Sequence, residues 1–426
     1  MTEIPPPLTV SGSERTGILA GVRLYLDKVR LFRPNARLYL ASLIVSGVAY
    51  GIYGLLFNFY VLSLGYNEAL LGQLLTTSSL VALLSALPAG YVSDRVGRKR
   101  ALFLSSLMTT AAVVGLVTWR SVTGFFAMSL VLGLAQSLSG VTLGPFLMEN
   151  SGEAERTYLF SISFGLNMLA SFVGNWIGGG MPAWIGHIAA VSATSAVAYR
   201  WSLVIVAGIA ALALIPLSLL RSHPGAQEDE GRNLSPFQYA RQNPRLLGKL
   251  ISPLLVTSLG AGLLMPFMNV FFRRAYQSSD AAIGTLFAAG SLAMGIGLLV
   301  APPLADKYGK IAVVVLTQAL SIPFLILLGF APWFWLSATA YLVRLALMNM
   351  SNPVYQTFVM EEVRQEARAT VASLVSMSWN VGWSFSPTIS GWLQVHYGFA
   401  PVFLGTITTY IIAIYLYWRF FYAREK

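Results

Sequence analysis

Long apolar runs alternate along this chain with short polar gaps, and the gaps are mostly basic. Twelve runs stand out, near residues 37–64, 68–92, 100–119, 121–147, 157–184, 197–220, 246–275, 279–304, 310–330, 332–360, 366–395 and 399–421. A helix needs about 20 apolar residues to cross a hydrocarbon layer of roughly 30 Å, where backbone polar groups are satisfied only within helices or closed barrels. Barrel strands would be short and would alternate apolar with polar positions. The stretch from Leu203 to Leu217 carries no polar side chain at all. The pattern therefore predicts an all-α integral membrane protein with twelve spanning helices.

Composition agrees. Of 426 residues, 56% are apolar and 11% charged, against about a quarter charged in an ordinary globular domain. The mean hydropathy is +0.66. The absence of cysteine excludes a disulfide framework and a thiolate metal site. A net charge of +11 would suit nucleic acid, but the 28 Lys and Arg residues sit almost entirely in gaps between apolar runs. The bilayer is thus the expected partner and nucleic acid is not.

With the N-terminus assigned to the cytoplasm, 23 of these cations fall inside and four outside, namely Arg120, Arg200, Arg273 and Arg274, while Arg344 lies within a span. That bias predicts a cell-membrane protein with both termini cytoplasmic. Residues 1–36 form a basic arm with no cleavable leader expected. Within it, residues 15–33 interleave Ile18, Val22 and Leu26 with Arg23, Lys28 and Arg30, a pattern that suits an interfacial helix; a disordered arm is the alternative. Residues 221–245 read as a cytoplasmic linker between six-helix halves at 37–220 and 246–421, with 422–426 a cytoplasmic tail.

The two halves repeat. Adding 212 carries Glu68 onto Asp280, Gly72 onto Gly284, Leu74 onto Leu286, Asp94 onto Asp306, Gly97 onto Gly309, Met148 onto Met360, Glu149 onto Glu361 and Arg156 onto Arg368. A single offset over this length implies two copies of one six-helix unit, related by a pseudo-twofold axis, with a pathway where they meet.

The segment Gly90-Tyr-Val-Ser-Asp94-Arg95-Val-Gly97-Arg98-Lys99 resembles the loop motif of the major facilitator superfamily. Leu304-Ala305-Asp306-Lys307-Tyr-Gly309-Lys310 resembles its weaker copy. The pairs Glu149 with Arg156 and Glu361 with Arg368 are similar to the E-x6-R pairs of the sugar-porter branch. The resemblance implies alternating access, an inner gate formed by Asp94, Arg95, Arg98, Glu149, Arg156, Asp306, Lys310, Glu361 and Arg368, and a central cavity on helices one, four, seven and ten, with five, eight and eleven contributing. The same charges also serve to set topology and cap helices, which is the plainer reading.

All seventeen acids and the three histidines avoid the middle of the spans, although proton-coupled carriers usually titrate a group there. The drug/proton antiporter branch carries Arg-x-x-Gln-Gly in helix four; here the segment is Gly133-Leu-Ala-Gln136-Ser137, without the arginine. In helix five Gly165, Gly174 and Gly178 keep that branch's spacing, but Gly179 stands where proline is expected. Arg344, about 25 Å from Glu361 at 1.5 Å per residue, is expected to face the cavity and meet an anionic substrate group, or else to make a structural hydrogen bond. Other polar or aromatic candidates near the midplane are Tyr50, Tyr53, Asn58, Gln136, Asn167, Asn175, Asn269, Asn349, Trp379, Asn380 and Trp383. Each Asn suits interhelical bonding as well as substrate.

These features predict a monomeric secondary transporter for a small organic solute, amphipathic or anionic. A proton-coupled multidrug antiporter is the alternative within the class. A membrane receptor or lipid scramblase is the alternative outside it. No nucleotide loop, catalytic constellation or metal set is present in the sequence, so neither enzyme activity nor a cofactor is expected.

Overall fold

Four helices begin on a short polar side chain that caps the first turn, and all four caps lie at one end of the molecule. Asn67 accepts from the Leu70 amide at 3.1 Å, and Ser121, Ser195 and Ser279 accept from Gly124, Ala198 and Ala282 at 3.2 Å each, satisfying amides that have no helical partner. At the other end, Gly97 and Gly309 join consecutive helices with φ of +93° and +86°. Only glycine adopts such angles without strain, so both copies of the loop motif turn at the same register position.

The computed structural model describes residues 32–221, 241–364 and 368–422. Its spans are α1 (Pro34–Ser63), α2 (Glu68–Leu84, continued by Ala86–Val96), α3 (Arg98–Thr118), α4 (Val122–Glu149), α5 (Glu153–Ala189) and α6 (Ala196–Leu212, continued by Leu214–Ser218). The second half holds α7 (Pro244–Leu264, a 3-10 turn Met265–Phe267, then Met268–Tyr276), α8 (Asp280–Tyr308), α9 (Lys310–Phe330), α10 (Phe334–Glu362), α11 (Arg368–Tyr397) and α12 (Ala400–Phe420). No strand occurs among the described residues. Each span begins and ends within five residues of its predicted run. The arm up to residue 31, including nearly all of the predicted interfacial helix, and residues 222–240 of the predicted linker lie outside the described residues.

Nine of these helices are individually long and apolar enough to cross a membrane, and α2 makes a tenth when its two segments, bent by 57°, are taken together. The polar side chains of α10 and α11, such as Asn349, Asn352, Gln356 and Asn380, lower their hydropathy, yet they run for 29 and 30 residues. Twelve traversals return Pro34 and Phe420 to the same side, called here the terminal end; the capped side is the far end. In α7 the ring of Pro266 in the 3-10 turn removes an amide donor and crowds the preceding turn, which interrupts the helix.

The apolar core is divided unevenly. One cluster joins both halves toward the far end, including Leu55, Tyr60, Phe125 and Tyr199 from the first and Phe267, Phe272, Tyr341 and Phe403 from the second. Toward the terminal end each half keeps its own cluster, around Phe32, Leu102 and Phe146 in one and Leu250, Val314, Tyr355 and Phe421 in the other. The molecule is sealed at the far end and divided at the terminal end.

Candidate transport pathway

The far-end seal is built where glycines let backbones meet. A methyl group on Gly284 of α8 would stand 2.6 Å from the Asn175 carbonyl oxygen of α5, and one on Gly179 of α5 would stand 2.8 Å from the Asp280 carbonyl oxygen. The second seam repeats the first: Gly72 of α2 abuts the Pro387 carbonyl of α11, and Gly391 of α11 abuts the Glu68 carbonyl. All four contacts obey the 212-residue offset. Beside Gly72, the Thr388 hydroxyl bonds the Thr76 hydroxyl at 2.8 Å. Small residues permit such close approach, and the van der Waals gain stabilises helix contacts in lipid.

Charged groups complete this seal, and sequence reasoning did not assign them. Arg274, at the end of α7, donates to Glu68 of α2 at 2.7 and 3.1 Å. Asp280 pairs with Arg273 and accepts from the Tyr199 hydroxyl of α6 at 2.9 Å. The Arg273 guanidinium lies 4.2 Å from the centre of the Phe59 ring on α1, within cation–π range. Glu68 and Asp280 are only 8% and 7% exposed. Their shared register was the available signal: an acid recurring at the far-end start of α2 and α8, with two arginines opposite.

A cavity of about 410 Å³ opens within the first half, between α1, α3, α4, α5 and α6. Tyr50, Tyr53, Gln136 and Asn167 line it, together with hydroxyls including Ser105, Ser106, Thr109 and Ser139. Among the described residues, no charged side chain lines it. Tyr50 is 67% exposed, as befits a side chain standing free in the cavity. All of its lining residues belong to the first half.

The remaining candidates are placed elsewhere. Asn58 donates to the Pro266 carbonyl and to the Asn269 side chain, at 2.7 and 2.9 Å, while Asn269 donates to the Leu55 carbonyl at 2.8 Å; both are tied into the seal. Asn349 donates to Leu345 of its own helix at 2.8 Å. Trp379 packs against the second half's terminal cluster, Asn380 is exposed, and Trp383 holds a buried indole N–H without an acceptor among the described residues. Arg344 does not face the cavity. It is 1% exposed, inside the second half, because α7 and α12 close over it.

At the terminal end, Arg98 pairs with Asp94 and, at 3.3 Å, with Glu149; Lys310 pairs with Glu361. The 212 offset converts the Arg98–Glu149 pair into the Lys310–Glu361 pair. Each pairing lies within its own half. Arg98 also donates to the buried Ser93 hydroxyl at 3.0 Å, which Thr142 of α4 bonds at 2.8 Å. Four expected members stand outside these pairs. Arg95 turns back to the Tyr91 hydroxyl at 3.0 Å, the Nε of Arg156 is buried without a partner among the described residues, Asp306 is exposed, and Arg368 donates to the Met360 carbonyl at 2.9 Å. Among the described residues the E-x6-R spacing therefore does not bring Arg156 and Arg368 to these carboxylates; Arg98 and Lys310 reach Glu149 and Glu361 from the first positions of α3 and α9.

The family model of the Major Facilitator Superfamily matches the chain twice, over residues 38–259 and 254–426. A comparison with curated protein sequences gave no match. Among solved structures, the nucleoside transporter NupG superposes with a TM-score of 0.75 at 15% identity, over 91% of this chain and 99% of that one. A bacterial homolog of the human lysosomal transporter Spinster, inward-facing and unoccupied, gives 0.72 at 14%, over 95% and 97%. A D-xylose-proton symporter gives 0.69 at 16%, over 93% and 98%.

Proposed function

The chain belongs to the Major Facilitator Superfamily and is a multi-pass secondary transporter rather than an enzyme, and we propose that its cargo is a neutral, amphipathic small organic solute. The observation behind this reading is the chamber wall, in which three tyrosine rings, two amides and several hydroxyls surround about 410 Å³ without a charge among the described residues. Aromatic faces take an apolar ring or carbon skeleton, while Gln136 and Asn167 offer both donors and acceptors to a polar edge. A cargo bearing a full charge would enter this wall without a counter-charge, at a cost of several kcal/mol. Of the two cargo types expected from sequence, amphipathic and anionic, the chamber supports the amphipathic one without a charge.

With both termini in the cytoplasm, the divided terminal end faces inward and the sealed far end faces outward. The fold-level relatives include carriers of nucleosides and of a sugar, and that breadth is compatible with hydroxyl-rich neutral solutes. The complete chamber lies in one chain, which is consistent with a working monomer. In proteoliposomes, uptake of a panel of uncharged and charged nucleosides and sugars tests the assignment. Flux confined to uncharged members, with KM raised more than tenfold by Gln136→Ala or Asn167→Ala, is expected; flux of charged members alone, or binding without flux, would reject it. Single cysteines at Gln277 and Gly152, probed in intact cells with an impermeant maleimide, test orientation: only the first should label.

A further inference from the structure

Arg344 combines complete burial with an incomplete set of partners. One terminal nitrogen donates to the Tyr410 hydroxyl of α12 at 3.1 Å, and the other reaches only the Met265 thioether, at 3.9 Å. The Tyr410 ring centre lies 5.4 Å from the guanidinium carbon. Nε is buried and has no hydrogen-bond partner among the described residues. Among the described residues, no carboxylate pairs with it. A guanidinium presents five N–H donors, and a thioether is a weak acceptor, so among the described residues this cation has no counter-charge and one strong acceptor, the Tyr410 hydroxyl. Buried cations in membrane proteins meet an anion or a strong dipole.

The cover over the guanidinium is also unusual. Met265 opens the 3-10 turn that interrupts α7, touches Arg344 through its thioether and is itself only half-buried. Its unbranched thioether changes rotamer at small cost, and the local helix is already broken. Met265 can therefore move aside without melting a helix.

We infer that Arg344 and Tyr410 form a binding site for one small monovalent anion, a halide or a carboxylate, that enters when Met265 swings away. The site lies in the second half, apart from the neutral chamber in the first, and does not depend on the cargo assigned above. The guanidinium supplies charge and donors, and the Tyr410 hydroxyl turns to donate or to accept.

Thermal unfolding of the full chain in detergent tests this at matched ionic strength in sodium chloride, sodium acetate and sodium gluconate. Binding to the folded state raises the melting temperature. The expected result is a saturable rise of about 2 °C or more in chloride or acetate relative to bulky gluconate. A rise in chloride alone identifies an inorganic ion, and a rise in acetate identifies carboxylate recognition. Arg344→Gln should abolish the rise. Met265→Ala, which keeps the charge, should lower the half-saturating anion concentration severalfold, and it serves where Arg344→Gln does not fold. Equal melting of the wild type in all three salts, persistence of the rise in Arg344→Gln, or an unchanged half-saturation in Met265→Ala would each overturn the site.

Discussion

Asn58 and Asn269 hold the two halves together through a reciprocal exchange. Asn58 donates to the carbonyl of Pro266, three residues before Asn269, and Asn269 donates to the carbonyl of Leu55, three residues before Asn58. The two amides also bond each other at 2.9 Å. In the broken stretch of α7 the Val270 amide donates to the Asn269 side chain at 2.9 Å rather than to the Pro266 carbonyl four residues back, and Asn58 supplies that carbonyl with a donor. A break within one half thereby becomes an attachment point for the other.

Alanine at either asparagine should loosen the far end. Each substitution strands buried polar groups, at about 1–3 kcal/mol, so the population open at the far end should rise roughly tenfold. Because the chain has no cysteine, a single cysteine at Thr76 reports opening through its labelling rate from that side. The double variant should label little faster than either single one, since both remove the same exchange.

The paired glycine seams predict twin phenotypes. Gly72→Ala and Gly284→Ala place a methyl group against a carbonyl of the opposite half and should hold the far end open, lowering transport more than about tenfold while the protein still inserts. Gly208→Ala, whose added methyl group would meet nothing within 4 Å beyond the local backbone of its own helix, should leave transport near normal. Flux and Thr76 labelling, measured side by side, check both.

The Glu68–Arg274 pair should be weak alone and sensitive to salt, because the Arg274 side chain is 60% exposed. Glu68→Gln is expected to favour far-end opening by about 1 kcal/mol at low salt and by less in 1 M salt. The charge reversal Glu68→Arg with Arg274→Glu should restore closure. Asp280→Asn should act more strongly, at roughly 3 kcal/mol, because it leaves Arg273 without its carboxylate beside Phe59 and Tyr199.

At the terminal end, Asp94→Asn should slow transport roughly two- to fivefold with expression largely intact, matching the loss of one partly exposed ion pair of about 0–1 kcal/mol. Lys310→Gln in the other copy should behave alike. Unchanged turnover in both variants would mean that these charges set topology only.

Much of the architecture could be read before any coordinates. The apolar runs located all twelve spans because a lipid solvent leaves helices few alternatives, and Gly97 with Gly309 marked turns that another residue resists. The 212 register went further than expected, since residues matched in sequence also make matched contacts, as Gly72–Pro387 and Gly284–Asn175 do. Sequence rise along a helix gives depth but not direction. For that reason Tyr50, Tyr53, Gln136 and Asn167 were found in the chamber, whereas Asn58 and Asn269 at similar depth turned toward each other. Arg273 and Arg274 looked like outer-side topology charges, and only the bend of α7 brings them to Asp280 and Glu68. Arg344 illustrates the same limit, because its enclosure depends on how α7 and α12 pack around it.

The uneven division of the apolar core has a mechanical corollary. Moving the halves together near the termini would dry two finished surfaces without rebuilding either interior, so that stroke resembles simple docking. Parting them at the capped side instead splits a shared interior that includes Tyr60, Phe267 and Phe272, and it wets side chains that now exclude water. The resting bias of an empty carrier should therefore lean toward the state seen here, and a solute that drives the opposite state must draw the difference from its own contacts with the chamber.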